Sequence, residues 1–252
     1  PVTSAIANGF ALPPIADLEA KITAKTKAIV ICNPNNPTGY LYSKAEMEQL
    51  KELILKYNLY LFSDEAYREF CYEGEQVSAM HLTGVDEHVI IMDTISKRYS
   101  ACGGRIGALV TKNQQVLDAV MKFAQARLSP PSFAQIAGEA AIDLPADYFD
   151  TTKAEYKKRR DLIVKRLNEM DGVFCPNPGG AFYAMAQLPI DDSDIFCQWL
   201  LEEFSHEGQT VMLAPATGFY GTPGLGKKEV RLAYVLNIND IESAMDCLDQ
   251  AL

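Results

Sequence analysis

The sequence predicts an α/β fold: a partial, mostly parallel sheet with helical crossovers, followed by a smaller α+β carboxy-terminal domain. Three observations carry this reading. Short β-branched runs alternate with helical periodicity through the first 150 residues. Three of the strand ends run into polar loops, NPNNPTG (33–39), SDEAY (63–67) and TISK (94–97). After Gly172 the pattern changes to short strands mixed with helices.

Taken in order, ALPPIADLEAKI (11–22) is a short helix approached through prolines, and KAIVIC (27–32) is a buried-strand run. Ser43 and Glu46 form a capping box, after which Met47, Leu50, Ile54 and Tyr57 recur at helical spacing. LYLFSDEAY (59–67) is the next strand and its end, HVIIMD (88–93) the third strand, and IGALV (106–110) the fourth. QQVLDAVMKFAQ and FAQIAGEAAI are helical, separated by the break SPPS. A long charged helix from Asp147 to Met170 joins a first domain, 1–150, to a second, 151–252. Within the second, GVFCPN, AFYAMAQL, TVMLAP and VRLAYV read as strands, and 193–206 and 239–251 as helices. Strand–helix–strand order implies parallel pairing, and such sheets bind ligands beyond the carboxyl ends of their strands.

Composition narrows the function classes. Of the 252 residues, 48% are hydrophobic and 22% charged, which describes a chain with a substantial core. A net charge of −10 argues against a nucleic-acid partner, because such a protein needs a basic face. The six cysteines include no C-x-x-C pair and read as core or near-core thiols of a reducing compartment. The three histidines have no ligand spacing, so no metal is expected. No apolar run approaches a membrane span, and a cytoplasmic protein is expected.

The chemistry concentrates in TISKRYSACGGRIG (94–107). Lys97 follows a buried strand among Thr94, Ser96, Tyr99 and Ser100, where loss of hydration favours a neutral amine able to condense with an aldehyde. Arg105 follows Gly103-Gly104, whose bare backbone leaves room for a bound group, and its planar fork suits phosphate. The competing reading is a solvated lysine and a surface arginine beside a glycine turn. Asn36, in a loop stiffened by prolines, can donate to a phenolate oxygen; the same residues also make an ordinary turn. Asp64 closes an apolar strand and can keep a pyridine nitrogen protonated, or simply cap EAYREF. Tyr67 can reach the same ring oxygen as Asn36. Arg231 lies on an apolar strand and calls for an anion, either a substrate carboxylate or an internal salt bridge. Arg127, before SPPS, can meet a second carboxylate, but a surface role is the preferred reading.

Together NPNNPTG, SDEAY, SKRYSACGGRIG and RLAY, in this order and at these separations, resemble the class I and II aminotransferases of pyridoxal-phosphate fold type I. The resemblance implies pyridoxal 5′-phosphate as cofactor, with Lys97 as the lysine bound to it. Asp64 is implied as partner of the ring nitrogen, with Asn36 and Tyr67 flanking the ring oxygen. Arg105 and Thr94 are implied at the phosphate, Ser96 as the cofactor-binding residue that precedes the lysine, and Arg231 at the substrate α-carboxylate. The reaction implied is amino-group transfer between an amino acid and a 2-oxo acid, in a homodimer. The family's Gly-rich phosphate loop and ring-stacking aromatic have no counterpart in these residues. The chain is therefore expected to be a carboxy-terminal portion of such an enzyme, inactive by itself. A lyase of the same fold would carry the same residues; a non-enzymatic regulator built on that fold is the other alternative, and would ordinarily bring a basic DNA-binding module.

Overall fold

Four strands assemble in the order β1 (Ala28–Cys32), β2 (Tyr60–Asp64), β3 (Val89–Thr94), β4 (Gly107–Val110) in a computed structural model that describes residues 1–145 and 147–252. β1 and β2 pair in parallel, as do β2 and β3. Helix α1 (Ile15–Glu19) precedes β1, and α2 (Lys44–Tyr57) is the crossover from β1 to β2. Its start is the capping box seen in the sequence: Glu46 N–H donates to Ser43 Oγ, and Ser43 N–H to the Glu46 carboxylate. Met47, Leu50, Leu53 and Ile54 are its buried residues. Tyr57 is not among them; it lies exposed and donates its hydroxyl to Glu19 at 2.5 Å.

β4 runs antiparallel to β3. The connection holds only one helical turn, α3 (Ile95–Arg98), and a short 3₁₀ turn at Cys102–Gly104. So short a link cannot carry the chain back along the sheet, so β4 returns alongside β3. Helices α4 (Gln114–Arg127) and α5 (Ser132–Ala140) follow, then α6 (Asp147–Glu169). α4 and α5 contain no buried residue, and Phe123, Phe133 and Ile136 stand exposed at 76%, 89% and 64%.

The second sheet is antiparallel, in the order β5 (Tyr183–Gln187), β7 (Glu229–Ala233), β6 (Ala214–Pro215), with α7 (Ser193–Glu202) and α8 (Ile238–Ala251). The stretch expected as strand GVFCPN contributes a single bridge, Phe174 to Gln187, because Pro176 lacks the N–H to extend it. TVMLAP is strand only at its last two residues. The helix expected over 193–206 ends at Glu202, where Glu203 and Phe204 N–H both turn back onto the Trp199 carbonyl. His206 and Gln209 then close a two-residue turn in which Glu207 and Gly208 both take positive φ.

The chain divides into two units, each described by itself. One comprises Pro14–Asn35 and Leu41–Thr151, hereafter the sheet unit. The other comprises Pro1–Pro13, Asn36–Tyr40 and Thr152–Leu252, the carboxy-terminal unit. In the latter, Gly39 takes φ +69°, and a Cβ there would meet Pro178 at 2.4 Å, so the loop needs glycine. No helix among the described residues is long and apolar enough to cross a membrane.

The sheet unit holds a buried polar staple. Glu65 is fully buried, and its Oε1 accepts from Ser63 Oγ, Ser78 Oγ and Ala79 N–H at 3.1, 3.1 and 2.9 Å. Asn33, also fully buried, donates through Nδ2 to Val77 O and accepts from Tyr42 N–H. Both side chains thus pin the 77–79 loop against strand ends. Glu65→Ala would leave three donors without their acceptor and is expected to cost about 2–4 kcal/mol, read from denaturant unfolding. The thiols separate by depth: Cys175, Cys197 and Cys247 are buried, whereas Cys102, expected near the core, is exposed on the turn before Gly103. Burial pushes Cys175 up to about 12 and Cys197, where Asp194 adds to the effect, up to about 11. At about pH 8, thiol reagents should label Cys102 in the native protein and reach Cys175 only after unfolding.

Candidate active site

In the sheet unit the polar residues singled out in the sequence sit on strand ends and the loops that leave them. Register places Cys32, Asp64 and Met92 level across β1, β2 and β3. Asp64 is half-buried; its carbonyl accepts from Asn33 N–H at 2.8 Å and its Oδ1 from Ala66 N–H at 3.0 Å. One carboxylate oxygen therefore caps the turn that follows, the structural role weighed for it in the sequence. Tyr67 lies in that turn with a buried ring. The Lys97 amine stands 6.0 Å from the centre of this ring, so the two loops meet.

α3 is one turn long, too short to persist without external fixing. Thr94 caps it, accepting from Ser96 N–H at 3.1 Å, and donates its hydroxyl to Ile106 O at 2.7 Å. The Ser96 hydroxyl lies 2.8 Å from that of Thr94. Both hydroxyls are thus engaged within the turn. Arg105 takes a left-handed conformation at φ 55°, and its Nη1 donates to Cys102 O at 2.9 Å on the exposed rim of the unit. The space beside Gly103 is open.

The carboxy-terminal unit holds the other two residues. Arg231, on β7, donates through Nη1 to Asn36 Oδ1 at 3.0 Å. Its guanidinium lies 4.6 Å from the Tyr183 ring centre and 4.9 Å from that of Phe219. Two aromatic faces and an amide oxygen hold this cation, and among the described residues no carboxylate pairs with it, which removes the internal salt bridge as its explanation. Accepting through Oδ1 also fixes the Asn36 amide so that Nδ2 is its donor. Arg127 is exposed in the last turn of α4.

Sequence reasoning passed over Phe219, in the loop APATGFYG, because its contact with Arg231 joins a loop to a strand and shows in neither segment alone. It also passed over Arg68, Glu69, Asp93 and Arg98, the charged neighbours of Tyr67 and Lys97. Among the described residues no His, Cys, Asp or Glu cluster could hold a metal ion.

This chain is similar to known proteins over nearly its whole length. Aspartate aminotransferase of Pyrococcus horikoshii is 32% identical over 249 residues, 97% of this chain and 61% of the relative. Aspartate aminotransferase of Bacillus subtilis is 33% identical, over 95% of this chain and 60% of the relative. Among solved structures, alanine aminotransferase of Pyrococcus furiosus superposes with a TM-score of 0.84 at 35% identity, covering 94% of this chain and 60% of that one. An aromatic aminotransferase of Pyrococcus horikoshii gives 0.88 at 28% identity, over 99% and 65%. The chain spans about 60% of the length of the curated relatives it matches. With residues 12–244 matching the family description "Aminotransferase class I and II", the chain belongs to the class I and II aminotransferases.

Proposed function

We propose that the protein transfers an amino group between an amino acid and a 2-oxo acid with pyridoxal 5′-phosphate as cofactor. The observation that carries this is the Lys97 amine set over the Tyr67 ring, on the loop that Asp64 begins. The donor chemistry fits the cofactor: an amine, a carboxylate, a phenol and a guanidinium all belong to the strand-end loops of one unit, and the backbone at Gly103 leaves open space. When bound, the cofactor supplies a conjugated ring that delocalises the charge left on substrate Cα after proton loss.

The residues divide the work by chemical type. Lys97 would hold the cofactor through its amine and, as a free amine, would move the proton at substrate Cα. Asp64 holds a proton at the ring nitrogen, which makes the ring an acceptor of electrons. Tyr67 and Asn36 donate to the ring oxygen. Arg105 holds phosphate by its planar fork, and Thr94 and Ser96 join it by exchanging the hydrogen bonds they make within the turn. Arg231 binds the substrate α-carboxylate, its guanidinium kept flat by Tyr183 and Phe219. The exposed Phe123, Phe133 and Ile136 support a surface covered by further protein, and we assign the whole protein as a homodimer.

Lys97→Ala is expected to abolish both amino transfer and covalent capture of pyridoxal 5′-phosphate, followed by borohydride reduction and peptide mass mapping. A label that persists, mapped to another lysine, sinks the assignment. Arg231→Lys keeps the charge and loses the fork; KM for the amino acid should rise about tenfold or more, with kcat changed less.

A further inference from the structure

Tyr67 and Lys97 are each followed by charged residues, Arg68-Glu69 and Arg98. These four side chains, counting Asp93 at the end of β3, close on one another. Arg98 Nη2 lies 2.6 Å from Asp93 Oδ2, and Arg68 Nη1 reaches the same oxygen at 3.6 Å. Arg98 Nε lies 3.8 Å from Glu69 Oε1, and Arg68 Nε 3.4 Å from it. The result is a ring of alternating charge, Arg68–Asp93–Arg98–Glu69, in which each group has an opposite charge on either side. The Arg98 and Asp93 side chains are only 16% and 18% exposed, so the central pair is largely screened from water. Asp93 Oδ1 also accepts from Thr94 N–H at 2.7 Å, which joins the ring to the start of α3.

We propose that this ring is a positioning device for Lys97. Resting on the reading of Lys97 given above, it says what holds the amine over Tyr67. An isolated turn of four residues frays, and the Thr94 cap fixes only its first end. Arg98 fixes the other end by bonding back to the strand from which α3 springs. Through Glu69 and Arg68 the same guanidinium is tied to the turn that carries Tyr67. The residues that follow the two functional side chains, Arg68 and Arg98, therefore share Asp93 and Glu69 as partners, which ties the two loops together. Because the charges alternate, the ring adds no net charge beside the Lys97 amine. Single exposed ion pairs contribute little to stability, but a closed and half-buried set of four constrains geometry.

The test uses Arg98→Gln, Asp93→Asn and Arg98→Lys, with two readouts on the full chain. Hydrogen–deuterium exchange without cofactor follows peptides covering 94–104 and 65–72. Exchange there should speed up about tenfold in Arg98→Gln and Asp93→Asn while β1 to β3 keep their protection, and Arg98→Lys should restore most of it. Covalent capture of pyridoxal 5′-phosphate at Lys97, in which amine and aldehyde lose water and borohydride reduces the C=N bond, should slow about tenfold in the first two variants. Asp93→Asn keeps the acceptor for Thr94 N–H, so it serves if Arg98→Gln fails to fold. Unchanged exchange in both charge-removing variants overturns the proposal whether or not the cofactor binds. Faster exchange with unchanged capture at Lys97 overturns it too, since the ring would then stabilise the turn without placing the amine. In both cases wild-type capture at Lys97 leaves the functional reading standing; wild-type capture elsewhere removes that reading and this inference with it.

Discussion

The in-register parallel pairing of β1, β2 and β3 is the constraint on which the sheet unit depends. Because Cys32, Asp64 and Met92 stand level, β1 and β2 release their loops from the same height, while β3 runs on to Thr94 alongside β4. The ladder runs one step past the strands: Asn33 N–H donates to Asp64 O, and Glu65 N–H to Met92 O. The first loop residues are thereby placed by backbone bonds before any side chain acts. Their buried side chains, Asn33 and Glu65, then secure the 77–79 loop. A one-residue slip between β1 and β2 would turn Asp64 to the other face and bury its charge without a partner.

Beyond that edge the structure relies on polar contacts more than on packing. α3 has no length to stabilise itself, and only Ser96 within it is buried. Its geometry comes from Thr94 at one end and Arg98 at the other. The carboxy-terminal unit solves a similar problem differently. Arg231 sits on a strand whose neighbours Val230 and Leu232 are buried, and its charge is met by ring faces and an amide oxygen. Aromatic faces constrain the plane of the guanidinium while leaving its edge to an anion, which suits recognition of a carboxylate better than a fixed internal carboxylate would.

Exposed apolar side chains are unevenly spread. The buried residues of β3, α2 and α6 follow the periodicities expected of core elements. α4 and α5 carry comparable apolar content with nothing buried. Amphipathic pattern marks which face of a helix needs cover, and here that face lacks cover within the described residues. The same holds for Val30 on β1, 69% exposed although it belongs to a strand of buried type.

Some of this was determined by the sequence alone. Local signals sufficed where the physics is local: the Ser43 capping box, the β-branched runs and the SPPS break each act within a few residues. The ordered motifs NPNNPTG, SDEAY, SKRYSACGGRIG and RLAY likewise marked the family and its candidate residues. Only the tertiary structure decided the rest. That β4 returns antiparallel, that Tyr57 leaves the core, and that Cys102 lies exposed depend on what the chain finds across space. The aromatic faces around Arg231 and the charge ring behind Lys97 bring together groups from separate elements. Their energy comes from contacts that exist only after those elements meet, so no window of the sequence contains it.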